Sequence, residues 1–365
     1  MSGIGSGVGA YVAVAQGATG VATFGVPADA WAGYQVTLPG CKAGKYTANP
    51  HIVQGGPYIR NGSVVDLGSA NISTYTDAQI QLTGDLMNTG MALMLMQAFG
   101  TTAVDAGLTG ATGAAHQIAT VGLTPQDGSW VDVEVAAPDT GGNLNYQDLF
   151  GCKITKAEWM VERSGIATYA YDVDAALLVL GATSPYATVS EVLDPTPFSP
   201  TNASSSFKIQ VGGTGALTAI DGLRKATITL TPKLALDRIY VGFSSKLEQI
   251  TTGLIDVAVS LEMDYTVTAN SDVFQLFVQA RAALAGGLTA PTTITVVGNQ
   301  IPGSVAYDTA AWSFPYLWIM SGGEAPVEGL DIVKNTINLK GTLDPAGHLG
   351  AYLKLITIDS TPAAF

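Results

Sequence analysis

The sequence predicts a mainly β protein: two β-barrel or sandwich domains, each with one short flanking α-helix, plus an extended N-terminal arm. Three observations carry this. Strict alternation recurs, most clearly in LIDVAVSLEMDY (254–265). There Ile255, Val257, Val259, Leu261, Met263 and Tyr265 share one strand face, and Leu254, Asp256, Ala258, Ser260, Glu262 and Asp264 share the other. Helical periodicity is confined to two short stretches. A unit of polar-faced strand, short helix and Gly-rich loop occurs twice.

Residues 1–56 are rich in Gly, Ala and Pro and read as the arm, with AYVAVA and GYQVTL as its strands. The first β domain spans 57–189. Its repeat unit, DAQIQLTGDLMNTGMALMLMQAFG (77–100), puts Ala78, Ile80, Leu82 and Leu86 on one face and Asp77, Gln79, Gln81, Thr83 and Asp85 on the other. Asn88 is the expected N-cap of a helix ending at Phe99, with Gly100 as its stop. KITKAEWMVERSGIATYAYDVDA (153–175) predicts a hairpin turning at Arg163-Ser164-Gly165. The Pro- and Ser-rich stretch 190–206 predicts a linker, and 207–365 a second β domain. In that domain SFKIQVGG and RKATITLTPKL look like a strand pair, and DRIYVGFSSKLEQI, TTITVVG and YLKLITI like further strands. Its helix is expected over 272–284, capped by Asn270 or Ser271.

Composition narrows the function classes. Charged residues make up only 12% of the chain, 43 residues are glycine, and the net charge is −13. That sign opposes a grip on phosphates, although an acidic surface can let a nucleic acid slide past. A low-charge surface suits large permanent contacts between subunits. No apolar run approaches the length of a spanning helix, and the opening residues lack the form of a secretory signal. Cys41 and Cys152 are accordingly expected as reduced thiols, and His51, His116 and His348 lie outside metal-ligand spacing.

The chemical motifs are weak. GIGSGVGA at the start lacks the preceding strand that a dinucleotide loop needs, and GCKAGKYT (40–47) is one residue short of a phosphate loop. No Ser has Gly at both second neighbours, and Ser-x-x-Lys at Ser205–Lys208 falls in the linker region. The sequons at Asn61, Asn71 and Asn202 have no meaning without export. Asp172 with Asp174, and Glu262 with Asp264, have the spacing of a glycosidase pair, but in a chain with 29 carboxylates a polar strand face is the better account of them. Alternation puts Trp312, Phe314, Tyr316 and Trp318 on one face, with Trp159 on another strand: core, subunit interface or a sugar platform.

Taken in order, these pieces resemble the major tail (tail tube) proteins of long-tailed, non-contractile bacteriophages. The resemblance covers most of the chain. It rests on GSGVGAYVAVAQGATGVATFGVPADAWAG, IQLTGDLMNTGMALMLMQAFG, GCKITKAEWMVERSGIATYAYDVDA, FKIQVGG, LRKATITLTPKL and GLIDVAVSLEMDYTVTANSDVFQLF, in the family's order. The arm is longer than the family pattern. The resemblance implies a non-enzymatic virion protein without cofactor or metal, made and assembled in the host cytoplasm. Its rings stack into a tube whose lumen passes the tape-measure protein and then double-stranded DNA, without sequence-specific binding. Two tube domains per chain would make the ring a trimeric pseudo-hexamer; a hexamer is the alternative.

On that reading Asp77, Gln79, Gln81, Thr83, Asp85, Asp256, Ser260, Glu262 and Asp264 face the lumen and line it with acid. Ile255, Val257, Val259, Leu261 and Met263 pack beneath the second helix with Phe274 and Phe277. The plainer account makes the polar faces ordinary outer surface. Two other functions compete: a virion-surface or secreted β-sandwich binding carbohydrate through the 312–318 aromatics, and a polysaccharide-cleaving enzyme using an acid pair.

Overall fold

The computed structural model describes residues 10–17, 24–25, 31, 35–43, 47–54, 71–88, 90–100, 116–122, 127–139, 141–163, 165–181, 183–186, 195–200, 205–210, 217–219, 222–238, 246–264, 278, 292–300, 307–322, 334–341 and 352–357. The protein is mainly β and its sheets are antiparallel. The larger sheet has thirteen strands and bends along its longest one, β8 (Leu144–Glu162). The C-terminal half of β8 lies in a run of eight strands. Their order is β17 (Leu317–Ser321), β18 (Lys334–Gly341), β14 (Asp256–Asp264), β13 (Leu223–Thr231), β8, β9 (Thr168–Ala175), β5 (Asn71–Asp85) and β4 (Thr47–Gln54). The two-residue β3 (Lys42–Ala43) also pairs with β5.

The N-terminal half of β8 pairs instead with β7 (Val131–Pro138) and β10 (Leu177–Gly181). Beyond β7 lie β1 (Tyr11–Gln16) and then β2 (Gln35–Thr37). The bend falls at Gly151, whose φ of 64° is a left-handed conformation that only glycine adopts at no cost. Ladder irregularities flank it, between Val131 and Val133 on β7 and between Ile154 and Lys156 on β8.

A second sheet of six strands runs β12 (Leu217–Ala219), β11 (Ser206–Gln210), β15 (Thr292–Gln300), β16 (Tyr307–Phe314), β19 (Tyr352–Thr357), β6 (His116–Gly122). Each sheet therefore draws strands from both sides of residues 190–206. The helix α1 (Ala92–Phe99) touches β1 and β8 of one sheet and β6 and β19 of the other. One core joins all three layers: Val14 and Leu149, Leu82 and Trp159, Val296 and Trp312 belong to a single buried cluster.

Several expectations shift. The region read as an arm is woven into the sheet, since β1 sits between β7 and β2 and β4 forms an edge. SFKIQVGG pairs with β12 and β15, not with RKATITLTPKL, which joins the larger sheet. KLEQI (246–250) alternates like a strand but is irregular, because its polar side chains are drawn inward to buried partners. Asn88 does not cap α1; Met91 holds that position, and Gly100 ends the helix at φ 74° as expected. Asn88 is buried and ties the chain before α1 to β16 and to Thr196: its Nδ2 donates to Asp308 at 2.9 Å, and its Oδ1 accepts from the Thr196 amide at 2.8 Å. The helix expected over 272–284, with Phe274 and Phe277, lies outside the described residues except for Val278, which is helical and exposed.

Candidate functional site: a continuous polar sheet face

The alternation of β14 divides as its sequence predicts. Val257, Val259, Leu261 and Met263 are buried, and Ile255 packs half-buried against the same core. Asp256, Ser260, Glu262 and Asp264 are partly exposed on the opposite face. On β5, Ile80 and Leu82 are buried while Gln79 and Gln81 are exposed and Thr83 and Asp85 half-exposed. Asp77 stands opposite Asn49 of β4. Tyr265 lies outside the described residues.

The two predicted polar faces are one surface. Along one row of the sheet, Asp85 stands opposite Thr168, Thr168 opposite Met160, Met160 opposite Thr227, Thr227 opposite Ser260, and Ser260 opposite Asn338. The next row includes Glu162, Lys225, Glu262 and Thr336. Residues directly opposite in an antiparallel pair share a face, so register alone puts these side chains together. Toward the β5 end the face dips into a cavity of about 280 Å³, lined by Thr47, Gln79, Gln81, Thr155 and Asp172 among others. Gln81 Nε2 donates to Asp172 there at 2.8 Å.

The face is less acidic than β14 alone suggests. Neighbouring strands bring bases to the carboxylates. Lys233 and Lys340 approach Asp256 at 3.5 and 3.6 Å, and Arg224 pairs with Asp264. Lys156 lies 2.9 Å from Glu158, and Lys225 sits in register between Glu162 and Glu262. Local reading singled out none of these partners. The signal was present in KAEWMVE and RKATITLT, where Lys156, Glu158, Met160 and Glu162, and Lys225, Thr227 and Thr229, alternate with apolar residues.

At one end the face is closed over. Asp174 is buried, and Lys246 Nζ lies 3.1 Å from both its oxygens, while Gln249 Nε2 donates to it at 2.7 Å. Two residues along, Glu248 accepts from the buried Lys153 at 2.9 Å. Burial lowers the Lys153 pKa, and the adjacent Glu248 carboxylate opposes that shift. Asp172 and Asp174 thus form no open acid pair, because Asp174 is committed to this buried clasp.

The 312–318 aromatics do not share a face. Trp312 and Phe314 of β16 are wholly buried in the six-stranded sheet. The chain bends at Pro315 and Tyr316, and Trp318 continues on β17 in the larger sheet, opposite Lys340. A sugar platform made of these four rings has no basis in this arrangement. Both cysteines are free thiols, and burial raises both pKa values, that of Cys41 to about 11. Among the described residues no group of three or more His, Cys, Asp or Glu is placed to hold a metal, and no helix is long and apolar enough to cross a membrane. The chain matches no family model and no curated protein sequence.

Proposed function

We propose that this chain is the structural subunit of a bacteriophage tail tube, with the polar face of the eight-stranded run turned to the lumen. The observation that carries this reading is the run itself: one buried face, one largely polar face and two matching edges that are unpaired among the described residues. Among the described residues, β17 pairs only with β18, and β4 only with β5. Every neighbouring pair between them is antiparallel, so after eight strands β17 and β4 run in opposite directions. A β17 edge set beside the β4 edge of another copy continues the alternation without reversal. Copies joined head to tail close into a ring that leaves no edge exposed.

Three copies would form a barrel of 24 strands, the pseudo-hexameric trimer, with residues 47–175 and 223–341 of each chain contributing four strands apiece. At ordinary strand spacing and tilt the wall would be roughly 40–50 Å across between backbones, far wider than barrels that side chains can fill. Such a channel suits a tape-measure protein and then a DNA duplex. The lining suits passage because its bases already have carboxylate neighbours. A phosphate would have to displace Asp264 from Arg224 or Asp256 from Lys340 before gaining the salt-dependent attraction that retards DNA on basic surfaces. Rings stacked in this way belong to a virion tail. A hexamer of chains, with twice as many strands, is the other closed form.

Negative-stain electron microscopy of the purified chain over a range of concentrations tests the proposal. Rings or stacked tubes with an open centre and three two-lobed subunits are expected. Monomers at every concentration would remove the function and leave the fold.

A further inference from the structure

The face of the β1–β7–β8 layer that turns away from the main core carries a buried pair of acids. On this face Ala13 and Ala15 pack with Trp31, Tyr11 and Tyr186 as a small separate cluster. Tyr11 and Trp31 each lie about 6 Å, centroid to centroid, from the Tyr186 ring (5.8 and 6.0 Å), and the Trp31 amide donates to the Pro185 carbonyl. Beneath this aromatic cover, Glu134 of β7 stands directly opposite Asp148 of β8. Both side chains are almost fully buried, at 0% and 4% exposure. Tyr11 Oη donates to Glu134 Oε1 at 2.7 Å. Glu134 Oε2 and Asp148 Oδ1 are buried without a hydrogen-bond partner, and the register sets the two carboxyls side by side. Two ionised carboxylates could not satisfy each other there, because neither has a hydrogen to donate, whereas one shared proton would.

We propose that Glu134 and Asp148 share one proton, and that this proton latches the Trp31–Tyr186 cover onto the sheet, so that the cover loosens when the proton leaves. Burial first, and the Glu134 charge second, push the Asp148 carboxyl up to about 7. The other polar groups facing the pair cannot replace the proton. Tyr11 and Ser184 offer hydroxyls, Asp132 and Tyr146 lie two residues along the same face, and β10 presents Val179 opposite Asp148. Among the described residues no lysine, arginine or histidine is ion-paired with either acid. Losing the proton therefore leaves two like charges in a dry site with one donated hydroxyl. The latch is independent of the ring proposal, since Glu134 and Asp148 lie in the β1–β7–β8 layer and not in the eight-stranded run.

Hydrogen–deuterium exchange of the full chain, corrected for intrinsic exchange, tests the latch between about pH 5 and about pH 8.5. Protection of Tyr11–Gln16 and residues 183–186 should fall by up to about tenfold per pH unit from about pH 5 to about pH 7, because the opened acids have already lost the proton that the closed pair keeps, and level off above that. Asp148→Asn supplies a permanent donor and should keep protection flat across the range. Tyr11→Phe removes the hydroxyl that steadies the ionised pair and should extend the fall to higher pH before it levels off. Protection independent of pH in the wild type, or an unchanged fall in Asp148→Asn, would overturn the proposal. If Asp148→Asn does not fold, infrared spectra of Asp132→Asn decide the matter. A protonated-carboxyl band present near pH 6 and gone near pH 8 supports the shared proton, and its absence at both overturns it.

Discussion

Lys246 and Asp174, 72 residues apart, meet with both carboxylate oxygens 3.1 Å from the ammonium nitrogen, and both side chains are almost completely buried. With Lys153 and Glu248 beside them, they fasten the irregular segment 246–250 across the end of the polar face. A buried charge deprived of its partner is far costlier than a pair replaced together. Lys246→Met alone should cost about 3–5 kcal/mol in urea unfolding. Combining it with Asp174→Leu should recover roughly 1–3 kcal/mol relative to the summed single effects. Strict additivity would mean that the two charges do not depend on each other.

The rings of Trp159 and Trp312 join the two sheets, with centroids 5.7 Å apart at 44°. Both are wholly buried, so replacement of either by Ala should cost about 3–5 kcal/mol. Phenylalanine separates them. Trp159 Nε1 donates to Tyr171 Oη at 3.0 Å, whereas Trp312 Nε1 has no partner. Trp159→Phe should thus be worse than Trp312→Phe by about 1 kcal/mol, measured by thermal or chemical unfolding.

What could be read from the sequence was whatever a strand states within its own length. The alternation of 256–263 is enough to sort Val257, Val259, Leu261 and Met263 from their polar neighbours, because a pleated strand has only two faces. Partners across the ladder are set by distant chain. The bases beside Asp256 come from 23 residues before it and 84 after it, at Lys233 and Lys340. For that reason a strand without a base became part of a face with several. KLEQI misled for the same reason: its alternation is real, but it serves Asp174 and Lys153 rather than a ladder. Trp312 and Trp318 failed differently, since a bend at Pro315 and Tyr316 moves the chain from one sheet to the other and resets its faces. The free-edge match of β17 and β4 could not be read at all before the strand order was known.

The polar face should tolerate charge reversal in folding and respond to it in DNA contact. Its ion pairs are half-exposed, so Asp256→Lys, Glu262→Lys and Asp264→Lys should each change stability by less than about 1 kcal/mol. The triple variant frees Arg224, Lys233 and Lys340 and adds three more bases. Assembled rings of this variant should retain duplex DNA in a gel-shift assay, with affinity falling steeply as salt rises. Wild-type rings should not, and tubes of the variant should eject DNA slowly. Tight binding of duplex by the wild type, or normal ejection by the variant, would count against a lumen position for this face.

Asp132 gives a separate pH signature. Its Oδ1 accepts the Gly151 amide at 2.8 Å, at the bend of β8, and burial raises its carboxyl from 3.8 to about 6 despite that bond. A raised acid binds its proton more tightly in the folded state than in the unfolded one. Its contribution to stability is therefore full below about pH 4 and is lost as pH climbs through about 6. Asp132→Asn keeps an acceptor for Gly151 and removes the titration. Stability measured by urea unfolding from about pH 4 to about pH 6.5 should decline less steeply in Asp132→Asn than in the wild type, with any remaining decline toward neutrality coming from Asp148. Parallel curves for the two proteins would show that the bend carries no raised carboxyl.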